Sequence, residues 1–161
     1  MKLKRFSWNW AAEAEREMSR FLRIMSLWLW GGAIYYAIEL CWRGYSHESM
    51  FIVGGICFLI LGVINNYLPW NLGLAWQALI GAVSITAVEL LSGLIINRWL
   101  GLGVWDYSDV PFNILGQVCL PYTVAWIFLS AIGIYLDDYL RWRLYDEQKP
   151  KYFIFKRGKH L

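Results

Sequence analysis

Two carboxylates stand where carboxylates are expensive. Glu39 and Glu89 each lie inside a long apolar run. At a bilayer centre an acidic side chain costs roughly 2.5–3.5 kcal/mol on insertion scales, and ionisable residues within spans mark binding sites, ion paths and proton relays. Arg43, Asn97, Arg98, Trp105, Asp106, Asn113 and Gln117 fall near the same end of the chain's apolar segments. Such a set suits a cation, an amine or a proton, and carboxylate-only acid–base catalysis is also open to it. A second reading uses the same residues as ties between helices, Glu39 with Arg98 and Glu89 with Arg43 or Arg98. The segment Trp105-Asp106-Tyr107-Ser108-Asp109 then serves as an interfacial cap, in which Asp106 or Ser108 satisfies turn amides.

Other chemistries lack their residues. There is no glycine-rich phosphate loop with its lysine, no nucleophile elbow and no cysteine–histidine pair. His47 and His160 have no ligand-spaced partners, so neither a metal nor a cofactor is expected. Cys41, Cys57 and Cys119 match no metal or redox spacing and read as small hydrophobes, with a Cys41–Cys119 bridge as the minor alternative.

The elements that must position these groups follow from composition. The chain has 161 residues, enough for a single domain, and is 58% hydrophobic but only 17% charged, against about 25% for a soluble domain. No charged residue occurs from Ser49 to Val88 or from Val110 to Leu136. A span needs about 20 mostly apolar residues. The fold expected is all-α, an integral membrane four-helix bundle, with spans near 24–42, 50–68, 72–96 and 114–136. Pro69-Trp70-Asn71 supplies a tight turn. Residues 1–23 pattern as an amphipathic interfacial helix, with Phe6, Trp8 and Trp10 at the headgroups. Residues 137–161 form a tail that extends the last helix and leaves it before Pro150. The first apolar run begins after Arg23, behind a charged segment, and reads as a retained span rather than a cleaved signal.

The basic residues set a direction. Of 15 Lys and Arg, only Arg43 and Arg98 lie between Arg23 and Asp138. The positive-inside rule therefore places both termini and the Pro69 turn in the cytoplasm, in the inner or plasma membrane of a cell. This clustering is a topology signal, and no nucleic-acid partner is implied. At ~1.5 Å per residue, Glu39 lies about 24 Å beyond Arg23, and Glu89 about 27 Å beyond Asn71. Both reach the outer part of the membrane. Glu89 shares a face with Ala78, Ala82, Thr86 and Gly93, and small residues let helices approach closely. Glu39 shares its face with Gly32, Tyr35 and Tyr36. Asn113 and Gln117, four apart, would share a face at the start of the fourth span. The cytoplasmic half carries Asn65, Asn66 and Gln77 and little else that is polar. A polar, carboxylate-bearing pocket open to the outside is the expectation.

Several segments resemble one known family. They are Tyr35-Tyr36 with Glu39, Glu89-Leu90-Leu91-Ser92-Gly93, Trp105-Asp106-Tyr107-Ser108, Phe112-Asn113-Ile114-Leu115-Gly116-Gln117-Val118-Cys119-Leu120, and Trp126. Together they are similar to small bacterial multi-pass proteins grouped as ABC-transporter type IV permeases, the CmpB-like group, over roughly residues 27–135. The resemblance implies a transport role and points to Glu39, Glu89, Trp105, Asp106, Asn113 and Gly116. This chain departs from the pattern around the second span, where members often carry a longer glycine-rich segment.

Three functions compete. The first is a membrane transport component, or an ion- or substrate-binding subunit of one, acting as a homo-oligomer or with a partner membrane protein and a separate ATPase. The second is a small membrane enzyme acting on a lipid or isoprenoid, which the sequence favours less. The third is an accessory protein that binds partners through its helical ends. The site residues expected are Glu39, Glu89, Arg98, Trp105, Asp106, Asn113 and Gln117.

Overall fold

The computed structural model describes residues 10–68 and 72–154. The Pro69-Trp70-Asn71 turn and the headgroup rings Phe6 and Trp8 lie outside them. Four helices follow in order: α1 Trp10–Arg43, α2 Glu48–Tyr67, α3 Leu74–Gly93 and α4 Leu120–Tyr145. All four are long and apolar enough to cross a membrane.

Helix ends obey local chemistry. α1 stops at Gly44, whose φ of 77° is the left-handed closing position that glycine adopts without strain. His47 caps α2, its Nδ1 accepting from the Ser49 amide at 3.2 Å. α2 ends at Leu68 ahead of Pro69, a residue pair that disfavours helix. α4 carries Pro121 in its first turn, where no amide bond is lost. α1 extends over 34 residues, about 51 Å at the helical rise, so it outruns a ~30 Å hydrocarbon layer. Residues 10–23 are thus continuous with the first span as one helix.

The fourth span differs at its start. Residues 113–119 do not begin a helix. They form a two-stranded hairpin, β1 Asn113–Ile114 and β2 Val118–Cys119, in antiparallel register Asn113↔Cys119. Leu115 and Gly116 sit at φ 56° and 68°, and the Gln117 amide closes the turn on the Ile114 carbonyl at 3.0 Å. Two positive φ values in a row make a mirror-image turn, which helical spacing cannot foresee. Asn113 and Gln117 therefore do not share a helical face. α3 likewise gives way to a π-helical turn, Leu94–Trp99, which delivers Asn97 toward the hairpin.

α1 packs along α2, and α3 along α4. The first contact is tight because glycines meet rings. Gly31 and Gly32 lie against Phe58 and Phe51, and Gly54 and Gly55 lie against Tyr35 and Trp28. α2 then bridges to α3 and α4 through a buried core of Leu61, Ile64, Ile85 and Ile134. Large apolar side chains such as Leu29, Ile52, Val83, Phe128 and Ile132 face outward, as a lipid solvent requires. The bundle has two unlike ends. The loop end carries residues 44–47 and the long connection 100–119. The tail end carries the start of α1, the α2–α3 link and the residues after α4. All three cysteines are free.

Candidate functional site

Glu89 is buried, 7% exposed, in the last turn and a half of α3. Its Oε2 accepts from the Trp126 indole N–H at 3.0 Å, and its Oε1 accepts from the Tyr107 hydroxyl at 3.2 Å. Both donors are neutral. No lysine, arginine or histidine among the described residues forms an ion pair with it. Rings enclose the carboxylate. Trp126 stacks on Tyr35 with centroids 5.9 Å apart, and Tyr107 on Tyr122 at 4.8 Å. Burial first, then the adjacent carboxylate, pushes the Tyr107 hydroxyl above the ordinary phenol range, so it stays a donor.

Each element supplies a part. Tyr35 comes from α1, Met50 and Cys57 from α2, Glu89 and Ser92 from α3, Trp126 from α4 and Trp105 from the long connection. Between them lies a narrow cavity of about 10 Å³, room for roughly one water-sized sphere.

Glu39 has a different environment. It lies one turn beyond Tyr35 and meets Arg43 of its own helix at 2.8 Å. It also accepts from the Ser46 hydroxyl at 2.5 Å. Arg43 reaches the Val104 carbonyl at 3.3 Å and lies 4.9 Å over the Tyr45 ring. Glu39 is thus neutralised locally, by Arg43 rather than by Arg98. Arg98 is exposed and donates to the Leu115 carbonyl at 3.3 Å. It bridges to neither glutamate.

The remaining expected residues assemble a cap on the loop end. Asp106 is exposed, and its Oδ1 accepts from the Ser108 hydroxyl at 2.6 Å and from the Ser108 amide at 2.9 Å. Those two donors hold its carboxyl below the usual carboxylate range. Asn113 donates to the carbonyls of Val110 at 2.9 Å and Ser108 at 3.1 Å, and accepts from the Gly116 amide at 3.0 Å. Gln117 is buried and accepts from Asn97 at 2.8 Å. Asn97 also accepts from the Val104 amide at 2.7 Å. Trp105 is buried and donates its indole N–H to the Gln117 carbonyl at 2.9 Å. Of this group only Trp105 lines the cavity; Asp106, Asn113 and Gln117 hold the loop that carries it and Tyr107.

The donors to Glu89 are what residue spacing alone does not reveal. Tyr107 is 18 residues away and Trp126 is 37, on separate elements. Trp126 could be found only through its place among the segments that carry the family resemblance; Tyr107 is hidden inside a loop rich in similar residues.

A family model described as "Putative ABC-transporter type IV" matches residues 23–154, well over half of the chain. No solved structure matches the chain.

Proposed function

The chain belongs to the ABC-transporter type IV family, and from that premise we propose that it is the membrane-embedded component of a transport system which binds a cation at Glu89. It is a multi-pass membrane protein, and the charge distribution supports cytoplasmic termini, with Glu89 in the outward half. One observation carries the reading: Glu89 is buried with two neutral hydrogen-bond donors and no positive partner among the described residues. A lone buried charge is costly unless something neutralises it. A bound cation or a proton does so, and the faces of Trp126 and Tyr35 add attraction for a cation. The cavity is narrow and its lining almost wholly apolar, so as it stands it suits a proton on the carboxylate; a sodium ion or an organic ammonium needs α1 and α4 to part at the Tyr35–Trp126 stack.

Glu39 and Arg43 sit outside the binding step and hold the α1–α2 corner closed. The chain carries no phosphate-binding loop, so energy from ATP would come from a separate ATPase. The test is binding of radiolabelled sodium and of tetramethylammonium to the full chain in lipid nanodiscs, wild type against Glu89→Gln. Saturable binding lost in the folded Glu89→Gln variant supports the proposal. Equal binding by the two proteins removes it.

A further inference from the structure

The walls around Glu89 differ in strength, and the difference bears on which cation arrives and by what route. On the loop side the cavity is closed by Trp105, which is buried and donates its indole N–H to the Gln117 carbonyl at 2.9 Å. Asn97 donates to the Trp105 carbonyl at 3.0 Å and to Gln117 at 2.8 Å, and accepts from the Val104 amide at 2.7 Å. Arg43, paired with Glu39, donates to the Val104 carbonyl at 3.3 Å. A route from the water beyond this loop breaks several of these bonds. Each buried polar group left without its partner then carries its full desolvation cost. Toward the tail end Ile85 lines the cavity and belongs to the buried core with Leu61, Ile64 and Ile134. Met50, Gly54 and Cys57 of α2 form another wall.

The wall between α1 and α4 is of another kind. At the tail end α1 is tied to the α4 side by polar contacts, Ser26 with Tyr145 and Arg23 with Glu147. Toward the loop end the two helices meet through the Tyr35–Trp126 stack, and among the described residues no hydrogen bond or ion pair joins them there. Both rings line the cavity, both are half-buried, and both lie on helices long and apolar enough to span. Moving Tyr35 aside opens this wall and leaves Trp126 bonded to Glu89. The cavity is thus braced against water and only stacked shut against lipid.

The lining also selects among cations. An alkali-metal ion gives up its water for a shell of protein oxygens. The side-chain oxygens here are too few for one. The two of Glu89 already accept from Trp126 and Tyr107, and the Ser92 hydroxyl is bonded to the Glu89 carbonyl at 3.1 Å. The Tyr35 hydroxyl is the remaining one in the lining. Rings, a thioether and aliphatic chains make up most of the rest. Aromatic faces beside a carboxylate suit an alkylated ammonium, whose charge the rings attract and whose methyl groups they bury. A solute that reaches the site through acyl chains must itself carry an apolar part.

We propose that Glu89 takes an amphiphilic organic ammonium, which enters sideways from the bilayer between α1 and α4, with Tyr35 as the door. The ammonium meets Glu89, and the apolar tail lies in the α1–α4 groove. This rests on the reading of Glu89 as a cation site and adds to it the substrate class and the path.

The experiment follows modification of Glu89 by mass spectrometry, on the full chain in nanodiscs of phosphatidylglycerol, which brings no amine headgroup. A hydrophobic carbodiimide should label Glu89 at least tenfold faster than a water-soluble one. Tetramethylammonium and hexyltrimethylammonium are then compared as protectants. Each buried methylene contributes roughly fourfold in affinity, so the hexyl compound should protect at an aqueous concentration about a hundredfold lower. Sodium should not protect. Tyr35→Leu should quicken labelling by the hydrophobic reagent severalfold, while Asp106→Asn, in the loop, should alter neither rate. Protection by added phosphatidylethanolamine would identify a lipid headgroup as the ammonium, and its absence a free amphiphile. Equal labelling by the two reagents, equal potency of the two ammonium ions, or protection by sodium overturns this proposal while the cation reading of Glu89 stands. If no cation protects Glu89, both fall. Should Tyr35→Leu fail to fold, the wild-type comparisons decide alone.

Discussion

Glu39 and Glu89 reach the same end of the bundle and meet opposite fates. Glu39 has a guanidinium four residues along its own helix and a serine hydroxyl from the next loop. Its charge is cancelled by groups it cannot escape. Glu89 meets only an indole and a phenol, both from elements distant in sequence. The lesson is that two carboxylates at one depth differ in function through their partners. A local ion pair leaves nothing for a ligand to neutralise, whereas a carboxylate held by neutral donors keeps its charge available.

Changes aimed at this contrast should fall in a definite order. The largest effect is expected from Glu89→Gln, which removes the one buried carboxylate of the loop end among the described residues. Cation binding should be lost altogether while the helical circular dichroism stays native. Arg43→Ala comes next, acting on stability instead of binding. It strands a mostly buried Glu39, for a cost of about 1–3 kcal/mol, checked by thermal unfolding. Arg43→Ala combined with Glu39→Gln should recover most of that loss. Trp126→Phe and Tyr107→Phe each delete one bond to the Glu89 carboxylate. A hydrogen bond to a charged group is worth roughly 1.5–3 kcal/mol, so cation affinity should change by tenfold or more with folding kept. Equal effects of Trp126→Phe on wild type and on Glu89→Gln would separate the indole from the carboxylate and break the comparison.

The smallest effect belongs to Asp106. Its folded carboxyl is held below the ordinary value by Ser108. A depressed pKa contributes stability that is fully present above the unfolded value of about 3.9 and fades as pH falls through the lower folded value. Hydrogen exchange of the Ser108 amide should therefore quicken only in acid below that range. Asp106→Asn should blunt the pH dependence without altering cation binding.

How much of this could be read from sequence depends on the element. The spans were legible because apolar length is a property of consecutive residues. So were Glu39 and Glu89, because a carboxylate in an apolar run stands out. The boundary near 113–119 was not, since the positive φ of Leu115 leaves no mark in residue type. Asn113 and Gln117 accordingly proved to be braces for a hairpin. Asp137 and Asp138 were hidden for another reason. They open the charged stretch after a long apolar one and read as the start of a solvated tail. Only the fold shows that Gly62 makes room for one and that Asn65 and Tyr152 cover the other. The tail half of the bundle, whose spans read as nearly apolar, thus contains the most completely buried acid of the described residues.

The central claim is that Glu89 neutralises a cation, and carboxyl modification tests it most directly. The full chain in lipid nanodiscs is treated with a hydrophobic carbodiimide, and the modified peptides are located by mass spectrometry, with and without sodium or tetramethylammonium. The account predicts modification at Glu89, little at the ion-paired Glu39, and protection of Glu89 by one of the two cations in a saturable way. Modification of Glu89 that no cation slows and no change of pH alters would contradict it.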